Sequence, residues 1–352
     1  MISRKVQKLC LLTLTLSLFG AAKAAFADTD KTLVVTSTNA AKNQLLVYSA
    51  QGNLLQTLST QGKGGASGNA GGIEAKNGLV AVVNFGSQTV ATFERDGSAL
   101  HFKQLVPTIS NPVSVAFGHD HLYILGTTSV ESHRMFGSDD VSSSPDGVVT
   151  LLKADGSAAQ VGVLPDHIIV TEKSNVIETV ALLGGGAVTG TPTLAMNIPA
   201  NVNAPFGLVA RGNDAYVTIA HANEISLVRN GDVLTVVGSN GQGAPCWLTL
   251  VGPFLFSSNT ASKSVSRYAV YGQKIVQDAG VVASTSGATV DIDSGDGLVA
   301  VIDNGTSTSN ISIFTVDEDG NLTLRMANSI NSLANGVAVV RDDDDAHHHF
   351  NW

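Results

Sequence analysis

The sequence holds two cysteines, no run of basic residues and no stretch with a sustained helical period, and each shortage closes off a class of protein. Cys10 lies in an amino-terminal segment that reads as a cleaved leader, so Cys246 is the single thiol of the mature chain and no intramolecular disulfide forms. Stability must come from a packed core. Lysines and arginines are scattered singly, which makes neither a footprint for a phosphate backbone nor a patch for an anionic membrane surface. Nucleic acid is therefore not an expected partner. Without a 3.6-residue pattern the regular structure has to be strand.

The leader is read from Arg4, Lys5 and Lys8, which precede an apolar run from Leu9 to Phe19 and then Ala25-Phe26-Ala27. That is the pattern of a signal peptide cleaved before Asp28. Its apolar core, roughly a dozen residues, falls short of the ~20 that cross a bilayer. Cys10 stands at the front of the run, where lipidation cannot use it. Cleavage removes four basic residues and no acid, so the formal charge moves from −9 to −13. The expectation is a secreted or periplasmic monomer, with no membrane insertion after cleavage. Its parts are a signal peptide (1–27), one domain (28–341) and a disordered polar tail (342–352).

One phrase recurs along the domain: a short apolar run, a polar break, a second apolar run, then Asp-Gly or Asn-Gly before a third. Leu79 to Asn84, Thr89 to Phe93 and Asp96-Gly97 make one copy; Ala215 to Ile219, Glu224 to Val228 and Asn230-Gly231 make another. The residue closing the first run recurs at Asn39, Asn84, Thr127, Lys173, His221, Asn259 and Asn304, at intervals of 45, 43, 46, 48, 38 and 45. Seven copies follow. Runs of about five residues rich in Val, Ile, Leu and Thr between turn dipeptides are strands, and Asn-Gly supplies the positive φ of a tight hairpin. A period in the forties with four short strands per unit is a β-propeller, so the chain is expected to be all-β with seven blades.

A further strand opens each unit, often at proline: Pro112, Pro205 and Pro245 start runs that read as innermost strands. The mature chain begins instead with a second strand over 33–37 and ends with an innermost-type strand over 336–340. The two termini are therefore expected to share the closing blade. Blade three departs from the pattern. Its first polar break swells to a loop over 126–147 that carries Glu131, His133 and Arg134, and its outer strand is missing from the pattern.

Four features then carry a family likeness: Val170 to Asn175, Gly241 to Trp247, Asn111 to Val115, and the Asp-Gly hairpins. They resemble the lactonase-family propellers, the group of 6-phosphogluconolactonase-like and carboxymuconate-cyclase-like proteins, over nearly the whole mature chain. The resemblance implies the ring fold and chemistry at its mouth by combinations of His, Glu and Arg, but no catalytic position transfers residue by residue. A phosphorylated sugar lactone would need basic residues that this chain does not cluster.

Ring closure should bring the polar breaks to one rim. A lactone hydrolase needs a base for water and a cation or donor for the oxyanion. The candidates are Glu172 or His221 as base and Lys173 or Arg134 as electrophile, with His133 and Arg134 reaching over the mouth from the long loop. Against this stands the reading that Asn and Asp at strand ends merely cap turns. Cys246 at the start of an innermost strand reads as a small packed thiol. No cofactor is expected; a metal is left open, with a calcium ion at the rim amides or the terminal aspartates and histidines as the two places for one. Two functions stay open. One is hydrolysis or isomerisation of a small lactone or related carboxylate ring at the central mouth. The other is a non-catalytic binding propeller that takes a small-molecule ligand or a protein partner at its rim.

Overall fold

A computed structural model describes residues 31–137, 140–195 and 204–341. The leader and the acidic, histidine-rich tail lie outside the described residues. Seven antiparallel sheets stand around a common axis, six of four strands and one of five. Blades two, four, five, six and seven each run outward in chain order, from innermost strands Ile73–Lys76, Ala158–Val163, Pro205–Arg211, Pro245–Val251 and Ala288–Gly295. The propeller expected from the period is the fold observed.

Blade one is built from both ends of the chain. Asn335–Val340 is its innermost strand and pairs with Leu33–Ser37 in the register Leu33↔Val340 to Ser37↔Asn335. Gln44–Ser49 and Leu54–Ser59 complete it. Arg95, reaching from blade two, donates to the carbonyls of Lys31, Val340 and Arg341 and so clamps the two termini together.

Blade three corrects the sequence reading. The stretch expected as a loop is mostly strand: Ser129–Phe136 is the blade's third strand, and Gly147–Thr150 pairs with it as the outer strand expected to be missing. The pattern was hidden because this strand buries polar groups. Glu131, Ser132 and His133 are all fully buried within it, so it shows no apolar run.

The core lies between the blades. Each sheet buries both faces of its two inner strands, and apolar clusters form where neighbouring sheets meet, as with Leu33, Val35, Val80, Val82 and Phe93 between blades one and two. At ~1.5–3 kcal/mol for each fully buried aliphatic side chain, these layers replace the disulfides that the chain lacks. The outer strands alternate, leaving Leu54, Leu194, Leu234 and Leu324 exposed.

Turn chemistry orients the ring. Asn230 and Gly231 take φ of 52° and 78° in the hairpin between the outer strands of blade five. At the polar breaks, Gln88, Asn175, Asn223 and Lys263 all take left-handed φ between 52° and 69°. These residues, two to four positions beyond the repeated polar ones, serve backbone geometry first. These breaks share one face of the ring with the connections that lead into each next blade, and that face forms the mouth.

Candidate functional site

The connection from blade one to blade two is the long, glycine-rich one, and it decides the shape of the hub. Instead of passing over the surface, residues 64–72 enter the central channel and bond to several blades. The Asn69 amide donates to Val113 O at 2.6 Å and exchanges bonds with the Asn335 amide at 3.2 and 2.9 Å. Trp247 Nε1 donates to Asn69 O at 3.1 Å, Ala70 N–H to Ala159 O at 3.1 Å and Val115 N–H to Gly71 O at 2.9 Å. Gly71 sits at φ 62°, where an added Cβ would lie 2.9 Å from Ser114 Oγ. Only glycine fits there. The segment plugs the channel.

Above the plug lies a cavity of about 470 Å³, walled by Asn39, Asn69, Asn304, Asn335 and Ser332, with Trp247, Val290 and Leu333 as its apolar surface. None of these lining residues carries a titratable side chain. The amides are held in place: Asn39 Oδ1 accepts the N–H groups of Gly65 and Ala66 at 2.7 and 3.0 Å, which shapes the plug's entry. Trp247 is fixed by its bond to Asn69 and by edge-on packing against Phe206 at 5.2 Å. Ser332 Oγ is buried and has no hydrogen-bond partner.

Below the plug the channel narrows to about 130 Å³, bordered by Glu74, Gln160, Thr249, Asp291 and Asp293. Burial pushes the carboxyls of Glu74 and Asp291 up to about 8, each helped by the charge of Asp293. Burial also raises Asp293 to about 6. Sequence reasoning missed these three acids. Their signal was there: Asp291-Ile292-Asp293 places charge at period two in an innermost strand, a position that faces the channel.

The residues expected to act together do not meet, and the expectation that they ring one cavity is corrected. Glu172 ends the second strand of blade four and is fully buried. Its Oε2 accepts from Ser157 Oγ at 3.1 Å, and its other oxygen faces Glu178, which accepts the N–H groups of Leu152 and Lys153. Burial and that second carboxyl push Glu172 up to about 8. Two carboxyls thus lie side by side in the joint between blades three and four. Lys173 does point to the hub, but as a fastening: its ammonium donates to Gly68 O at 2.6 Å and Ala158 O at 3.2 Å, with burial lowering its pKa.

His221 is exposed on the short 3₁₀ turn Ala220–Ala222 and does not line the cavity. His133 is fully buried in blade three, with Nδ1 2.9 Å from Ser142 O and Nε2 3.5 Å from Glu131 Oε2. Arg134 lies on the outside of that blade, its guanidinium over the Phe136 ring at 6.0 Å. Neither belongs to a lid over the mouth. Of the rim amides, Asn39 and Asn304 reach the cavity; Asn84 and Asn259 are buried and bond to Thr60 and Ser266. The thiol of Cys246 is pushed up to about 11 by burial. Among the described residues no group of three or more His, Cys, Asp or Glu is placed to hold a metal ion.

No protein-family model matches the chain, and no curated protein matches its sequence. Solved structures do match in shape. A candidate 6-phosphogluconolactonase from Bacteroides uniformis superposes with a TM-score of 0.63 at 13% identity, covering 88% of this chain and 100% of that one. Another from Bacteroides fragilis gives 0.63 at 15%, covering 90% and 99%. The WD40 propeller of Doa1 gives 0.53 at 15%, covering 77% and 86%. The chain therefore has the seven-bladed fold of the lactonase-like propellers, and it is similar in outline to a WD40 propeller as well.

Proposed function

We propose that this is a non-catalytic binding propeller whose mouth cavity takes a small, uncharged, polar ligand of about the size of a sugar ring. One observation carries the reading. The cavity offers amides, a hydroxyl and an apolar floor, and none of its lining residues is titratable. A general base or a cation at the reacting atoms is what hydrolysis would need. Rings with one apolar face and a hydroxyl rim suit the combination of Trp247 and Val290 with the amides.

The lactone reading stands second, supported by the fold shared with candidate 6-phosphogluconolactonases and by Glu74 and Asp291, whose carboxyls remain protonated at neutral pH. Both acids lie on the far side of the plug from the roomy cavity, and fold alone does not fix function. A phosphorylated substrate fits less well, because no cationic side chain lines the cavity. The leader read from residues 1–27 supports a protein that meets its ligand outside the cytoplasm.

A melting-temperature screen of the mature protein against millimolar neutral sugars, sugar alcohols and lactones tests this, with lactone consumption followed in parallel. A ligand that binds only the folded state raises the melting temperature with its concentration. The reading expects an uncharged polyol to stabilise the protein, Ser67→Trp at the exposed entrance of the cavity to abolish that effect, and every lactone to survive. Lactone turnover with no stabilisation by any neutral polyol would overturn it.

A further inference from the structure

Every innermost strand turns one edge to the channel, and backbone N–H groups on that edge have no strand to pair with. The neighbouring blade supplies acceptors. Val161 N–H bonds to Ser114 Oγ at 3.3 Å and Leu208 N–H to Gln160 Oε1 at 2.6 Å, both neutral groups. At the seam between blades seven and one the acceptors are carboxyl groups: Val337 N–H bonds to Asp291 Oδ2 at 3.0 Å and Val339 N–H to Asp293 Oδ2 at 2.8 Å. This is also the seam where the carboxy-terminal strand, Asn335–Val340, closes the ring.

A third carboxyl borders the same 130 Å³ of channel from the other side of that strand, Glu74 on blade two's innermost strand. The cations near the trio are Lys76, on the strand of Glu74, and Arg341, which follows the closing strand and packs across Gly295. Blade six borders the space with Trp247, Leu248 and Thr249, none of them titratable, and blades four and five with Gln160, Leu208 and Val209. Of the other acids on blade seven's two inner strands and the turn between them, Asp303 is tied to Gly287 and Asn310, and Asp296 to Thr32. Three carboxyls therefore share one narrow space with two cations at its end. Like charges so placed cannot all ionise without repulsion.

We propose that this seam is a proton-dependent latch: the closing strand is held firmly while part of the trio is protonated and loosens when all three carboxyls ionise. The carboxyl shifts agree in direction. Glu74 and Asp291 are raised to about 8 and Asp293 to about 6, so the stabilisation is complete below the ordinary carboxyl range and is lost as the pH rises through about 6 to 8. The latch acts at the point where the ring has no covalent closure. It is independent of what the mouth binds.

Hydrogen exchange of the mature protein, read by mass spectrometry on peptides covering 335–340 and, as reference, 245–251, tests the latch directly. Between about pH 6 and about pH 9 the protection factor of the closing strand should fall about tenfold or more while that of the reference strand holds. Glu74→Gln should abolish the fall. Glu74 accepts none of the seam's N–H bonds, so this variant should leave the ring intact. Asp291→Asn, whose amide oxygen still accepts from Val337 while the bond from Ile292 N–H is given up, serves as the second variant. Equal loss at both segments, or a closing strand that behaves in Glu74→Gln and Asp291→Asn as in the parent, would overturn the proposal.

Discussion

At the scale of single residues, the carboxyl pair in blade four shows how a buried acid can imitate a catalytic one. Glu172 stands beside Lys173 at a repeat position, and its pKa is raised to about 8, as a general acid would require. Yet its neighbours are Ser157 and Glu178, and it lines neither cavity of the hub. Its raised value means that stability is lost as the pH climbs through about 8, because an ionised Glu172 then faces Glu178 inside the joint. Glu172→Gln keeps a donor toward Glu178 and removes the titration. The variant should unfold at the same temperature as the parent near pH 4, below the ordinary carboxyl range, and at a higher one near pH 9, as scanning calorimetry would report. A variant less stable at both values would mean that the carboxyl carries more than this pair.

At the scale of elements, the plug is the feature that separates this hub from an open channel. Gly71→Ala forces a side chain into positive φ and against Ser114, and should cost about 1–3 kcal/mol by chemical denaturation. A neutral result would show that the plug is not held as described. The strands themselves were legible, because alternating Val, Ile and Thr between Asn-Gly and Asp-Gly turns leaves no competing reading. Blade three was not, since Glu131 and His133 lie buried side by side inside a strand and so look like a loop. The plug was equally hidden. A run such as Gly62-Lys63-Gly64-Gly65 reads as a flexible surface link until Asn69, Trp247 and Val113 are known to converge on it. The same convergence decides the site: ring symmetry brings the polar breaks to one face, but which of them point inward depends on packing that no period encodes.

At the scale of the whole molecule, a ring without disulfides is only as stable as its last strand. Removing residues 334–352 deletes the innermost strand of blade one, with Val337, Ala338, Val339 and Val340 all buried in it, and takes away two of the carbonyls that Arg95 clamps. The truncated protein should lose its cooperative unfolding transition; one that melts as the full chain does would refute closure by this strand. The central claim is that the hub's mouth is a binding cavity for an uncharged polar molecule. The measurement that tests it most directly is titration calorimetry of the most stabilising neutral polyol against the parent and against Ser67→Trp, which fills the mouth from an exposed position on the plug. Saturable binding at one site, abolished by Ser67→Trp with the melting temperature unchanged, is the predicted result; undiminished binding to the blocked protein would contradict it.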